Sequence, residues 1–183
     1  MNIDMNLPYS LQNELGKVAD SAPPPVHLWH PERVYPIDML INDRGDWIYE
    51  GSQITRARLI RLFARVLRRT NDEYYLVTPV EACRIVVEDV PFVGVALVQE
   101  GQGAGQKLTI TTNVGDQVTI GASNPLRFEV KEEVPLPYVL IRDGLWAKLN
   151  RNTYYQLMNL LIEDVDSAQW LIWSAGKAFT VPV

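Results

Sequence analysis

The side chains in this 183-residue sequence with most capacity for chemistry are arginines. Six of them fall between positions 56 and 69, with no acidic residue in that stretch. Read as one helix, the stretch sets Arg58, Arg61, Arg65, Arg68 and Arg69 opposite the apolar positions, the ordinary place for solvated charge. Arg56 differs. At ~100° per residue it falls beside Phe63 and Leu67, on the flank of the buried face. A guanidinium there needs an acceptor, either a carboxylate of the protein or a bound anion, and the free N–H groups of a first helical turn also favour anions. The carboxylates available for a structural pair are Glu81, Glu88 and Asp89. That acidic cluster has the composition for acid–base chemistry or a metal. The two histidines, His27 and His30, have no ligand spacing to it, so pairing with arginine is the expectation.

A second set lies near the C-terminus. Arg142, Lys148 and Arg151 occur close to Tyr138, Tyr154 and Tyr155. Basic and aromatic groups together can hold a planar anion by charge and stacking; surface charge beside core tyrosines is the plainer reading. The run Gly101-Gln102-Gly103-Ala104-Gly105 is followed by a strand pattern rather than a helix, so it reads as a flexible hairpin loop and not a phosphate cradle. No serine, histidine and aspartate arrangement suggests a nucleophile, and no cofactor is implied. The single cysteine, Cys83, sits among apolar strand-like residues as a buried, inert thiol.

These groups are positioned by a pattern that occurs twice. Met39 and Ile41 alternate with polar neighbours, a turn follows at Asn42–Gly45, and Trp47-Ile48-Tyr49 completes a hairpin. A helix spans 56 to 69, burying Leu59, Leu62, Phe63, Val66 and Leu67. Strands follow at Tyr74–Val77 and Cys83–Val87. The middle is antiparallel meander: Phe92–Gln99, Leu108–Thr112, Val118–Ile120 and Leu126–Val130. Then Tyr138–Ile141, a turn at Arg142–Gly144 and Leu145–Ala147 form a second hairpin. Asn150 or Asn152 caps a helix carrying Met158, Leu161, Ile162 and Val165, and strands at Gln169–Trp173 and Ala178–Val181 end the chain. An offset of 99 residues carries Trp47 onto Trp146, Gly45 onto Gly144, and Leu59, Leu62, Phe63 and Val66 onto Met158, Leu161, Ile162 and Val165. It carries Arg56 onto Tyr155, so the two copies differ in polar chemistry.

Composition limits the rest. A hydrophobic fraction of 47% is globular. A formal charge of −5 argues against a nucleic-acid polymer as partner. The first residues lack a signal-peptide pattern and the longest apolar run is far short of a membrane span, so a soluble cytoplasmic protein is expected. Residues 1–25 read as an arm, with a short helix on Leu7, Leu11, Leu15 and Val18 stopped by Pro23-Pro24-Pro25.

Several strings carry a resemblance. Asp46–Ser52 with Arg56 and Leu59–Phe63, Tyr74–Glu81, Val87–Phe92, Thr111–Asp116, Pro137-Tyr138-Val139 and Tyr154-Tyr155 together resemble a bacterial family, domain of unknown function 1285. The resemblance runs from Trp29 to the C-terminus; the longer N-terminal arm and the glycine-rich loop depart from it. It implies a two-part architecture with internal duplication and a C-terminal half loosely like the pleckstrin-homology superfold. It implies no established activity, and a nucleotide-like ligand held between the halves, in signal transduction.

The expectation is therefore an α+β protein of two related β-β-α-β-β units with antiparallel meander strands: an arm over 1–28, a first unit over 29–91, and meander strands with the second unit over 92–183. The leading functional reading is a non-catalytic sensor of a small, nucleotide-like anion where the units meet, using Arg56, Glu81, Glu88, Asp89, Tyr138, Arg142, Lys148, Arg151 and Tyr155. The alternative is a protein-interaction or scaffold module without a small ligand, on the sheet surface and the arginine face of the helix. An enzyme ranks last.

Overall fold

A computed structural model of the chain describes residues 24–165 and 167–182. The expected arm helix at Leu7–Val18 lies outside them. The chain divides at Asp89/Val90 into two units. Among the described residues no helix is long and apolar enough to cross a membrane.

In the first unit, a lead-in with one 3-10 turn at Val26–Leu28 precedes β1 (Arg33–Ile41), β2 (Trp47–Tyr49), β3 (Ser52–Gln53), α1 (Ala57–Val66), β4 (Leu67–Thr70), β5 (Glu73–Val77) and β6 (Glu81–Val87). The strands form one sheet in the order β3-β2-β1-β6-β5-β4. Every pairing is antiparallel except β1 with β6. The β1–β2 turn is set by Asn42, whose Oδ1 accepts from the N–H groups of Arg44 and Asp46 at 3.0 and 2.9 Å. Pairing of β1 with β6 lapses between Pro36 and Leu40, next to a proline that has no N–H to give the ladder. On α1, Leu59, Leu62, Phe63 and Val66 are buried, and the Phe63 ring stacks on Trp47 at 5.6 Å.

The helix is shorter than its sequence pattern suggests. It ends at Val66, and Leu67–Thr70 turns into a strand paired with β5. Asn71 and Asp72, both at positive φ, make the tight hairpin turn that draws this tail away from the helix. Leu67 is buried in either arrangement, so its apolar character could not discriminate between them.

The second unit contains β7 (Phe92–Glu100), β8 (Lys107–Thr112), β9 (Gln117–Thr119), β10 (Leu126–Lys131), β11 (Val134–Arg142), β12 (Leu145–Leu149), α2 (Arg151–Met158), β13 (Ile162–Asp164), β14 (Gln169–Ser174) and β15 (Lys177–Val181). One sheet has the order β10-β11-β12-β7-β8-β9, with β12 parallel to β7; β13-β14-β15 form a separate antiparallel sheet. Buried Ser174 ties the two sheets, donating to the Ile120 carbonyl at 2.7 Å and accepting from the Leu108 N–H at 3.0 Å. The glycine-rich loop is one 3-10 turn between β7 and β8, anchored by Gln106, whose side chain donates to the Trp173 carbonyl.

The two units are similar, and both run hairpin, helix, three-strand meander. The hairpins agree pair for pair at the 99-residue offset: Ile41↔Trp47 with Leu140↔Trp146, and Leu40↔Ile48 with Val139↔Ala147. The buried face does not agree. Ile41 and Trp47 are buried, whereas Leu140 and Trp146 are half-buried and their neighbours Val139 and Ala147 point into the core. The helices diverge too. Asn150 caps α2 through a 2.9 Å bond from the Thr153 N–H, and α2 stops at Met158. The expected helical positions Ile162 and Val165 fall in β13 and beyond it, 40% and 86% exposed. Phe63→Ala should therefore cost about 3–5 kcal/mol, measured by urea unfolding, as expected for emptying a core aromatic site. Ile162→Ala, at the aligned position, should cost no more than about 0.5 kcal/mol; equal losses would contradict this divergence.

Candidate functional site

Arg56 sits where β3 gives way to α1. Glu50 and Gly51, at φ 47° and 74°, form the two-residue turn joining β2 to β3. The Ile54 N–H then bonds the Trp47 carbonyl at 2.7 Å, which bends the chain toward the helix start. Arg56 is the residue before the first helical turn, extended at φ −76° and ψ 100°, and its carbonyl accepts from the N–H groups of Leu59 and Ile60. The helical wheel does not apply to a residue in that conformation. Arg56 is exposed, and not on the flank of the buried face as the sequence suggested. No side chain caps α1 and its first turn holds no acid. Among the described residues the Arg56 guanidinium has no hydrogen bond or ion pair.

Arg56 borders a cleft of about 330 Å³ that is also lined by Tyr49, Glu50, Ser52, Gln53, Thr55 and Leu59. Ser52, Gln53 and Thr55, from the β3 strand and its exit, thus line the same space as Arg56. One carboxylate, Glu50, also lines it. Burial first, and then the charge and hydrogen bond of Glu50, raise the Tyr49 phenol above its ordinary range, so Glu50 is engaged by a neutral tyrosine.

The acids proposed as partners of Arg56 are elsewhere. Glu81 is buried and accepts from the Tyr35 hydroxyl at 2.7 Å. Glu88 accepts from the Asp43 N–H at 2.8 Å and so pins the β1–β2 turn. Asp89 is half-buried with contacts of its own. None of the three lines the cleft. Among the described residues, no group of three or more His, Cys, Asp or Glu side chains could hold a metal.

In the second unit the sequence-chosen residues fall in three places. Tyr138 and Lys148 are directly paired across β11 and β12. Arg142 is ion-paired with Asp116 and lies 5.1 Å over the Phe92 ring. Arg151 lies 5.7 Å over Tyr155 on α2, where Tyr155 also meets Tyr154 edge-on. Four further residues complete the group around Tyr138. The Arg127 guanidinium stands 5.4 Å from the Tyr138 ring and 4.2 Å from that of Trp146, and is paired with Glu129 at 2.9 Å; Lys131 Nζ donates to the Tyr138 hydroxyl at 3.3 Å. For three of them the available signal was the alternation Arg127, Glu129, Lys131, which puts them on one face of a strand.

Two family models match the chain: residues 24–90 match that described as domain of unknown function (DUF1285), N-terminal domain, and residues 91–181 that described as protein of unknown function (DUF1285), C-terminal domain. Among solved structures, a DUF1285 family protein from Silicibacter pomeroyi DSS-3 is 40% identical with a TM-score of 0.86, covering 93% of each chain. Another from Shewanella baltica OS155 is 32% identical with a TM-score of 0.53, covering 67% of this chain and 91% of that one. Comparison with curated proteins gives no match.

The buried groups around Glu81 carry a pH signature. Desolvation, more than any other cause, pushes the Cys83 thiol up to about 11, and burial followed by the Glu81 hydrogen bond raises the Tyr35 phenol. From about pH 9 the unfolded chain loses the thiol proton while the folded chain keeps it, so stability falls as pH rises. The melting temperature of wild type should fall more steeply between pH 9 and 11 than that of Cys83→Ala. Identical slopes would show that this thiol does not contribute.

Proposed function

The chain belongs to the DUF1285 family, and we propose that it is a non-catalytic protein binding a small nucleotide-like anion, with the Arg56 cleft as the binding site. The observation that carries this reading is an arginine without a protein partner at an open, polar cleft beside an uncapped helix start. An oxyanion there can accept from the guanidinium and from first-turn N–H groups together. Ser52 and Thr55 add hydroxyls, and Tyr49 with Leu59 offers an apolar wall for the rest of the ligand. The volume is near the lower end of the ~300–1,000 Å³ typical of small-molecule sites. Such a protein would report an anion's concentration to a partner, which is the sense in which it would act in signalling.

The competing interaction-module reading draws on Arg58 and Arg61, exposed on the outward face of α1. The Arg56 geometry favours the small ligand, because a scaffold gives no reason to leave that charge without a partner beside a cleft.

Thermal unfolding with a panel of nucleoside mono- and diphosphates and pyrophosphate tests the proposal. A bound anion at a hundred times its dissociation constant adds ~2.7 kcal/mol, which raises the melting temperature by several degrees. Arg56→Gln should weaken binding by about 1.5–3 kcal/mol, the range for a charged hydrogen bond. A panel without any shift, or equal shifts in Arg56→Gln, would count decisively against the site.

A further inference from the structure

The Arg56 cleft is bordered by charges of both signs, and the fold keeps them apart. Arg56 and Glu50 both line it. They stand at opposite ends of the β3 segment: Glu50 opens the turn before Ser52, and Arg56 follows the strand exit. Among the described residues no ion pair joins them. The backbone is fixed at the Glu50 end, where its N–H donates to the Asp38 carbonyl at 2.9 Å. Gln53 also lines the cleft, but its Nε2 donates to Asp46 at 3.2 Å. Among the described residues no second acid borders the space.

A cation and a carboxylate held apart along one cleft suit a ligand that is anionic at one end and donates hydrogen bonds at the other. A carboxylate is an acceptor only, with roughly four lone-pair positions on its two oxygens. The Tyr49 phenol, kept neutral first by burial and then by Glu50, takes one of them. The others suit a pair of adjacent N–H donors. Of the common nucleobases, guanine alone presents two adjacent donors on its pairing edge, N1–H and the 2-amino group. Adenine and cytosine set a ring-nitrogen lone pair beside their amino group, and uracil flanks its single N–H with carbonyls. Those lone pairs would face the carboxylate and be repelled by it.

We infer that the cleft selects guanine nucleotides, with Arg56 on the phosphate and Glu50 on the N1–H and 2-amino edge. The inference rests on the assignment of Arg56 to an anion, and adds a choice of base to it. Ser52 and Thr55 line the cleft and lie between the two charges in sequence, which places hydroxyls where a ribose would link base to phosphate.

Calorimetry on the full chain with guanosine, inosine and adenosine monophosphates tests the selection. Inosine keeps N1–H and lacks the 2-amino group, so it removes one donor alone. Wild type should bind the guanine nucleotide at least about tenfold more tightly than the adenine one, the scale of a single two-pronged base contact, with inosine between. Glu50→Gln replaces an acceptor-only group with an amide that also donates, and should shrink the guanine preference to about threefold or less. Equal wild-type binding of the guanine and adenine nucleotides would overturn the inference, as would a guanine preference undiminished in Glu50→Gln. If binding is equal but falls in Arg56→Gln, the anion site stands and the base selection alone fails. Binding of none of the three overturns the selection too, and with pyrophosphate also inert the anion site falls with it. If Glu50→Gln does not fold, the wild-type order of the three nucleotides decides the question.

Discussion

A β-strand can bury only every second residue, and the parity chosen by each hairpin governs what its unit can build. In the first unit the pair Ile41 and Trp47 takes the inward face. A buried tryptophan needs a large flat partner, and Phe63 supplies it from α1. That contact fixes which side of α1 is buried, and with it the outward direction of Arg58 and Arg61 and the place of the helix start at Arg56. In the second unit the same backbone pairing carries the opposite parity. Small Ala147 takes the inward position and Trp146 turns outward beneath Arg127. The aromatic anchor is gone, and α2 packs over β7 near Gly94, where an added Cβ would lie 2.4 Å from Leu149 Cδ2.

Edge occupancy explains the second difference between the units. β1 has β2 on one side and β6 on the other, so the meander after α1 closes back into the hairpin's own sheet. β11 has β12 on one side, but β10 already occupies the other. The meander after α2 finds no free edge on β11 and forms its own three-stranded sheet, fastened by the hydrogen bonds of Ser174 and Gln106. One element order therefore gives a single sheet in one unit and two in the other.

Local pattern made much of this legible. The Asn42 and Asp143-Gly144 turns, the alternation on either side of them, and the apolar stripe of α1 each state their structure in a few adjacent residues. What sequence reasoning missed depended on distant partners. Leu67 suits a helix or a strand, and pairing with β5 decides the matter. The β10–β11 turn is made by Glu132 and Glu133 at φ 50° and 65°, a backbone that Gly or Asn usually announces. Arg56 was singled out because the wheel put it on the flank of the buried face, and the wheel misplaced it by treating an extended residue as helical. Arg127 and Trp146 became neighbours only through the registers of β10 with β11 and β11 with β12, which no local pattern supplies.

The chain's charge bears on how any such site can work. At a formal −5 the protein as a whole repels an anion, and screening confines the useful attraction of an exposed arginine to about 8 Å at physiological ionic strength. Recognition must then come from donors within direct reach of the ligand rather than from the field of the whole molecule. Arg56, at the start of α1, is a donor placed for such direct contact. Its exposure would let it meet an anion without rearrangement, but in competition with water and salt.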